Sequence, residues 1–461
     1  MRRWSATCTG LALGAVLLAG CAQAVPPSPA DTRARLFAQA LDDVGRFYIT
    51  PVSDHRLILS GLAGLSRIDG DLSVVETPAL GNRTAIALLD RGRQLALYSP
   101  PVEGDGAAWG GLVSRAVARA KTASPILAAA PEDRIDEVLF DGLTGALDRF
   151  SHYSTPRTAH ARRAVRDNRG GKPTVTEAVQ DGIVIFHLAG FSRDTAARLA
   201  AELRRSQSLL GSGLRGIVLD LRGDPGGLLD QAVGVSNLFI AQGPIAATIG
   251  RNPASRQFFA ASGTAIAPKL PLVALVDGGS ASASEIVAAA LQDDRRAVVV
   301  GSASYGKGTV QRVLPLSNGG ELIVTWALLV RPSGYLLDRH GVIPAVCTSA
   351  RADDSRSLRA EPPRDDVARD VVRGEATAPA GPPAPPLRSA AALGEADWLR
   401  LRRACPARTD DPPNDLAEAE RLLADPVLYR DALDDSRRLF APTAATLTPP
   451  NTPLISGLQL P

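Results

Sequence analysis

The sequence predicts an α/β fold, a mostly parallel sheet with helices carried on residues 181–348, and three observations predict it. Short apolar runs rich in β-branched residues recur along this stretch, helical spacings separate them, and Gly-rich turns stand where a strand passes into a helix. Gly182-Ile183-Val184-Ile185-Phe186 reads as a strand, Asp194 to Leu210 as an amphipathic helix, and Gly216-Ile217-Val218-Leu219-Asp220-Leu221 as a buried strand. Leu272 to Val276 follows as strand, Ser282 to Gln292 as helix and Ala297 to Val300 as strand. Two more strands flank Asn318-Gly319-Gly320 as a hairpin that ends near Leu329.

Before this core, residues 33–160 read as a small, mostly helical domain. Helical apolar spacing runs from Arg33 to Arg67 (Leu36, Ala40, Val44, then Leu57, Leu62, Leu65) and again from about Asp133 to Phe150. Leu57-x3-Gly61-x2-Gly64-Leu65 and Val138-x3-Gly142-x2-Gly145-Ala146 share a pattern, either a duplicated element or a chance match. Between them, Arg83 to Leu97 alternates as one strand, and Gly104 to Gly111 reads as a loop. Residues 161–180 read as a short polar linker. Past the core, the Pro-rich residues 349–390 are expected to be a disordered linker, and 391–461 a short helical segment with a tail.

At the other end, Arg2 and Arg3 precede an apolar run, Leu11 to Leu18, too short to span a bilayer, so residues 1–20 read as a signal peptide and 21–32 as a linker. Leu18-Ala19-Gly20-Cys21 resembles the lipobox of bacterial lipoproteins, in which Cys21 would carry the lipid. Cleavage after Ala22-Gln23-Ala24, releasing a periplasmic protein, is the alternative. Either way the chain is expected to be exported, on the periplasmic side, and with the lipid it is anchored to a membrane. An exported chain keeps disulfides, so Cys347 and Cys405 form a bridge or stand as two free thiols. The net charge of +3 creates no strong field, and no nucleic-acid partner is expected.

Chemistry concentrates in three places. Leu219-Asp220-Leu221-Arg222-Gly223-Asp224-Pro225-Gly226-Gly227 runs from strand to turn, and Gly there lets backbone N–H groups face a cleft, for catalysis or for steric reasons alone. Asp277-Gly278-Gly279-Ser280-Ala281-Ser282-Ala283-Ser284-Glu285 puts serines at a helix N-terminus, and Ser282 with Glu285 also fits a capping box. Ser304-Tyr305-Gly306-Lys307-Gly308-Thr309-Val310-Gln311 places a Lys between glycines. In water about one Lys in 2,500 is neutral at pH 7, but burial lowers the pKa and makes the amine a base. Gln311 stands where it would hold that amine. A phosphate-binding loop is disfavoured, since the upstream Gly and the following helix are missing.

These strings, with Ala290-Leu291-Gln292-Asp293, resemble the core of the carboxyl-terminal processing (tail-specific) peptidases over about Asp181 to Val346. The resemblance implies a crotonase/ClpP-like fold and a serine endopeptidase that cuts exported proteins or peptides through an acyl-enzyme, with no cofactor. It implies Ser282 as nucleophile, Lys307 as general base, Gln311 as third member, and an oxyanion hole from Ala283 with Gly226 or Gly227. The family usually carries a PDZ domain of roughly 80–100 residues before the core. Only about two dozen residues, Arg157 to Asp181, lie there in this chain, so the PDZ domain is expected to be missing. Gly223-Asp224 also replaces the family's common Asn-Asn. The rival is a catalytically silent lipoprotein, a scaffold or binding protein on the same fold; an adaptor or homo-oligomer stays open. His55, His152, His160, His187 and His340 show no metal spacing, and Glu285 and Asp293 are candidate supporting acids.

Overall fold

The computed structural model describes residues 28–79, 83–167, 173–263, 265–349, 394–409 and 414–439. Cys21, the expected signal peptide and nearly all of the expected linker at 349–390 lie outside them. None of the described helices is long and apolar enough to cross a membrane.

The N-terminal region is built from α1 (Pro29–Phe47), α2 (Asp54–Ala63), β1 (Leu72–Ala79), β2 (Arg83–Asp90), β3 (Arg93–Tyr98), α3 (Gly106–Ala123), α4 (Pro125–Ala129) and α5 (Glu132–Gly145). Ser28 and Ser53 cap the first two helices by accepting from backbone N–H groups three residues on. Three expectations are corrected here. The single strand at 83–97 is a hairpin, turned by Arg91 and Gly92 at φ 47° and 76°; a polar turn inside an alternating pattern leaves the period unbroken. The loop at 104–111 is the start of α3, capped by Asp105. Its glycines serve a helix crossing: a Cβ on Gly110 would stand 2.0 Å from the Ala34 carbonyl oxygen of α1. The shared Gly pattern is the crossing of α2 and α5 seen from its two sides. A Cβ on Gly64 would lie 2.1 Å from Val138 O, and one on Gly142 2.3 Å from Ser60 O.

The stretch expected to be a linker, 161–180, holds most of α6 (Pro156–Arg166), which follows β4 (His152–Ser154), and then β5 (Val175–Gln180). The core continues with β6 (Ile183–Leu188), α7 (Thr195–Leu210), β7 (Gly216–Asp220), α8 (Leu229–Asn237), β8 (Pro244–Ile249), β9 (Gln257–Ala260), β10 (Leu272–Val276), α9 (Ala283–Asp293), β11 (Val298–Gly301), β12 (Thr309–Pro315), β13 (Glu321–Val330) and β14 (Val346–Cys347). Three helices follow: α10 (Glu395–Ala404), α11 (Asn414–Ala424) and α12 (Pro426–Leu439).

Among the described residues the main sheet runs β14-β11-β10-β7-β6-β5, parallel except for β5 at its edge. Because β7, β10 and β11 are covered on both faces, they read as unbroken apolar runs. Helices α7, α8 and α9 cover one face through Leu199, Leu203, Ala232, Val235, Ile286 and Val287. Ala419, Leu422 and Leu423 of α11 cover the other, packing on Val218, Val273 and Val298. Part of the segment read as a short helical piece thus covers one face of the sheet. A second, antiparallel sheet of β12, β13, β8 and β9, with β4 beside β13, packs Leu314, Leu322 and Val324 against Phe37 and Phe140 of the N-terminal region. The loops after β7, β10 and β11 leave the carboxyl ends of neighbouring parallel strands, where open α/β sheets place their sites.

Cys347 on β14 is bonded to Cys405 at the end of α10. The segment so tied lies behind two of these loops: Arg402 donates to the carbonyls of His340 (2.8 Å) and Ser304 (3.0 Å), and Arg408 O accepts from Gly278 N–H at 2.5 Å. A loop of 58 residues closed by one bridge is worth about 4 kcal/mol in the chain-entropy model. A Cys347→Ser, Cys405→Ser double variant is expected to lose on the order of that much in a urea unfolding titration.

Candidate active site

The loop after β10 carries Ser282 into α9 with φ 57° and ψ −111°, a conformation that L-residues with a side chain rarely adopt. Holding a serine there costs on the order of 1–3 kcal/mol, and such strain gathers at functional positions. The sharp strand-to-helix turn projects the side chain at the sheet's end, half-buried, with α9 behind it. Sequence gave no sign of this strain beyond the glycines that precede it.

Glu285 organises the site. It is fully buried, and its Oε2 accepts from the N–H of Ser282 at 2.7 Å and from the N–H of Lys307 at 2.9 Å. One oxygen atom therefore joins the two backbone positions, 25 residues apart in sequence, that carry the serine and the lysine. The other oxygen, Oε1, accepts from Gly306 N–H at 2.7 Å and from the Ser304 hydroxyl. Burial raises this carboxyl above its ordinary range, against four hydrogen bonds that favour its ionised form. The capping-box spacing is present, and the carboxylate's reach extends beyond the cap to the lysine loop.

Lys307 is half-buried at the entry to β12, its Nζ 5.3 Å from the centre of the Phe150 ring. Burial lowers its pKa first and the positive charge of Arg162 lowers it further, while Glu285 opposes both. Phe150 precedes β4 and Arg162 lies on α6, so the environment of the amine comes from segments far from the Gly-Lys-Gly string. Gln311 follows a bulge in β12, and its Nε2 donates to Thr309 Oγ1 at 2.7 Å and Thr325 Oγ1 at 3.3 Å. Its Oε1 is thus the atom with which it would accept from an amine.

Gly226 packs directly on the serine turn: a Cβ there would stand 2.8 Å from Ala283 N and 3.0 Å from Ser282 Cβ. Its φ of 94° also demands Gly. Its N–H donates to Asp224 Oδ1 at 2.8 Å, which removes Gly226 as an oxyanion donor. Gly227 is exposed, and among the described residues neither its N–H nor that of Ala283 meets a protein acceptor.

Asp293 is corrected: it pairs with the buried Arg331, one helix length from Ser282. Among the histidines, His152 Nδ1 lies 2.9 Å from Phe150 O, His187 3.7 Å from Asp220, His55 3.1 Å from Glu76 and His340 3.0 Å from Glu395, while His160 is exposed. No cluster of metal-ligating side chains occurs among the described residues.

Residues 182–347 match the family model of Peptidase family S41. Over 169 residues the chain is 43% identical to the carboxy-terminal-processing protease of Bartonella bacilliformis, 36% of this chain and 39% of that one. It is 37% identical over 159 residues to the carboxyl-terminal-processing protease of Synechocystis sp., 34% of this chain and 36% of that one. It is 34% identical over 181 residues to the carboxy-terminal processing protease CtpA of Bacillus subtilis, 39% of this chain and 38% of that one. The matches span less than two fifths of these relatives' length. Among solved structures, the photosystem II D1 C-terminal processing protease aligns at 19% identity and TM-score 0.43, over 68% of this chain and 92% of that one.

Proposed function

We propose that the chain, whose residues 182–347 match the model of peptidase family S41, is a serine endopeptidase that cleaves exported proteins or peptides through a Ser282 acyl-enzyme. The observation that carries this reading is the single Glu285 oxygen that holds the backbones of Ser282 and Lys307 together. In the proposed reaction Ser282 Oγ attacks the scissile carbonyl and its proton passes to the neutral Lys307 Nζ. The oxyanion takes hydrogen bonds from Ala283 and Gly227, on the positive end of α9. Lys307 then protonates the leaving amine; water, deprotonated by Lys307, releases the acyl group. Gln311 orients the amine through its Oε1. We further propose export with a lipid on Cys21, and substrate selection without a PDZ domain, since α6 and β5 occupy much of the interval before the core.

A fluorophosphonate probe tests the assignment by intact mass and peptide mapping. The adduct is expected on Ser282 and is expected to vanish in Lys307→Ala. Because the pKa of Lys307 is lowered, the labelling rate begins to rise with pH below the range of a solvated lysine. Labelling at another residue, or a rate indifferent to Lys307→Ala, removes the proposed mechanism.

A further inference from the structure

Asp224 is a buried carboxyl that the proposed reaction does not use. It is fully buried in the turn between β7 and α8. Its Oδ1 accepts the Gly226 N–H, and its main-chain carbonyl accepts both Ala281 N–H, at 3.0 Å, and Ser284 Oγ, at 3.0 Å. The residue therefore pins the glycine turn to both sides of Ser282. Its Oδ2 is buried without any hydrogen-bond partner. A carboxylate in that position would carry a full charge in a dry turn, a larger penalty than the single O–H that the neutral acid would leave there without an acceptor.

We propose that Asp224 is a positioning residue that works as its neutral acid: protonated, it holds Gly226 against Ser282 and Ala283, and ionised, it sets a negative charge beside the forming oxyanion and shuts turnover down. The inference rests on the peptidase reading of this site. Burial pushes this carboxyl up to about 7, against the opposing pull of the Gly226 N–H, the nearby Ser284 hydroxyl and the charge of His187.

The charged neighbours come from every side of the turn. On β6, His187 faces Asp220 and Asp224, and its charge favours ionised Asp224. At the end of β7, burial raises Asp220, yet bonds from Arg222 and His187 bring it down to about 2, so it stays ionised where Asp224 does not. After β10, Asp277 accepts from Gly223 N–H at 2.9 Å; on α9, Glu285 is held by its four donors. Among these acids Asp224 stands out as the one whose buried oxygen lacks a donor.

The test is the pH dependence of fluorophosphonate labelling and of single-turnover acylation by an active-ester peptide, in wild type and Asp224→Asn. Asparagine keeps the acceptor and shape but cannot ionise. The ratio of the wild-type rate to that of Asp224→Asn is expected to fall roughly tenfold per pH unit above about 7, so that wild type levels off where the variant goes on rising with the neutral Lys307 amine. Linkage gives a second reading. A carboxyl raised in the native state contributes stability that is whole below its unfolded pKa and is lost as pH rises through about 7. The wild-type Tm should therefore fall across that window relative to Asp224→Asn. Superimposable rate profiles for the two proteins overturn the proposal. If the variant fails to fold, a wild-type rate that keeps rising to about pH 9 overturns it alone. Absence of labelling at every pH is a different result, and removes the peptidase reading instead.

Discussion

Replacing Ser282 with alanine is expected to cut peptide hydrolysis by about a million-fold, the loss seen when a serine nucleophile is deleted. Lys307→Ala should cost a comparable amount, and the double variant little more than either single change, because a nucleophile and its base act as a unit. Hydrolysis of a fluorogenic peptide, with active enzyme counted by probe titration, gives these ratios. Stability separates a catalytic role from a structural one. Ser282 sits at φ 57°, where glycine is relaxed and alanine is not. Ser282→Gly should therefore raise the unfolding free energy by about 1 kcal/mol while abolishing turnover, and Ser282→Ala should leave it near wild type. A Ser282→Gly protein that is less stable, or a Ser282→Ala protein that still cuts, would contradict the strained-nucleophile account.

The core strands were legible because each carries its own signal. β7, β10 and β11 are short, apolar and bounded by turns, and burial on both faces dictates that composition locally. The Ser and Lys strings were legible for the same reason, as glycines needed for tight turns sit beside them in sequence. What remained hidden depends on partners distant along the chain. Gly106 and Gly110 look like a loop until α1 is set against them, and the paired Gly motifs of α2 and α5 look like a repeat until they are seen to touch. β5 is an edge strand in which only Val175 is buried, so it carries no buried apolar period. Within the site, Phe150 and Arg162 reach Lys307 from the N-terminal region and α6, and Arg402 of α10 braces Ser304. Asp224 had been visible only as a departure from a family's Asn-Asn; its burial and its unpartnered oxygen give that departure a physical meaning.

Glu285→Ala is expected to damage rate and fold together, more than any other change outside the nucleophile and base. The carboxylate accepts from three backbone N–H groups, those of Ser282, Gly306 and Lys307, and from the Ser304 hydroxyl. Removing it strands buried donors at about 1–3 kcal/mol each, so a loss of several kcal/mol follows, with a clear drop in Tm. Glutamine is the sharper probe. Both carboxylate oxygens are acceptors here, and an amide offers one acceptor and one NH2, so one side of the bridge meets a donor with a donor. If the amide oxygen stays with Gly306 and Ser304, its NH2 pushes the Ser282 and Lys307 backbones apart, and acylation should fall at least about a hundredfold, as misplacement of reacting groups by about 1 Å does. Circular dichroism and Tm establish that Glu285→Gln is folded, and single-turnover acylation then reads the geometry. A folded Glu285→Gln protein that acylates at the wild-type rate would mean that the two loops hold their places without the bridge.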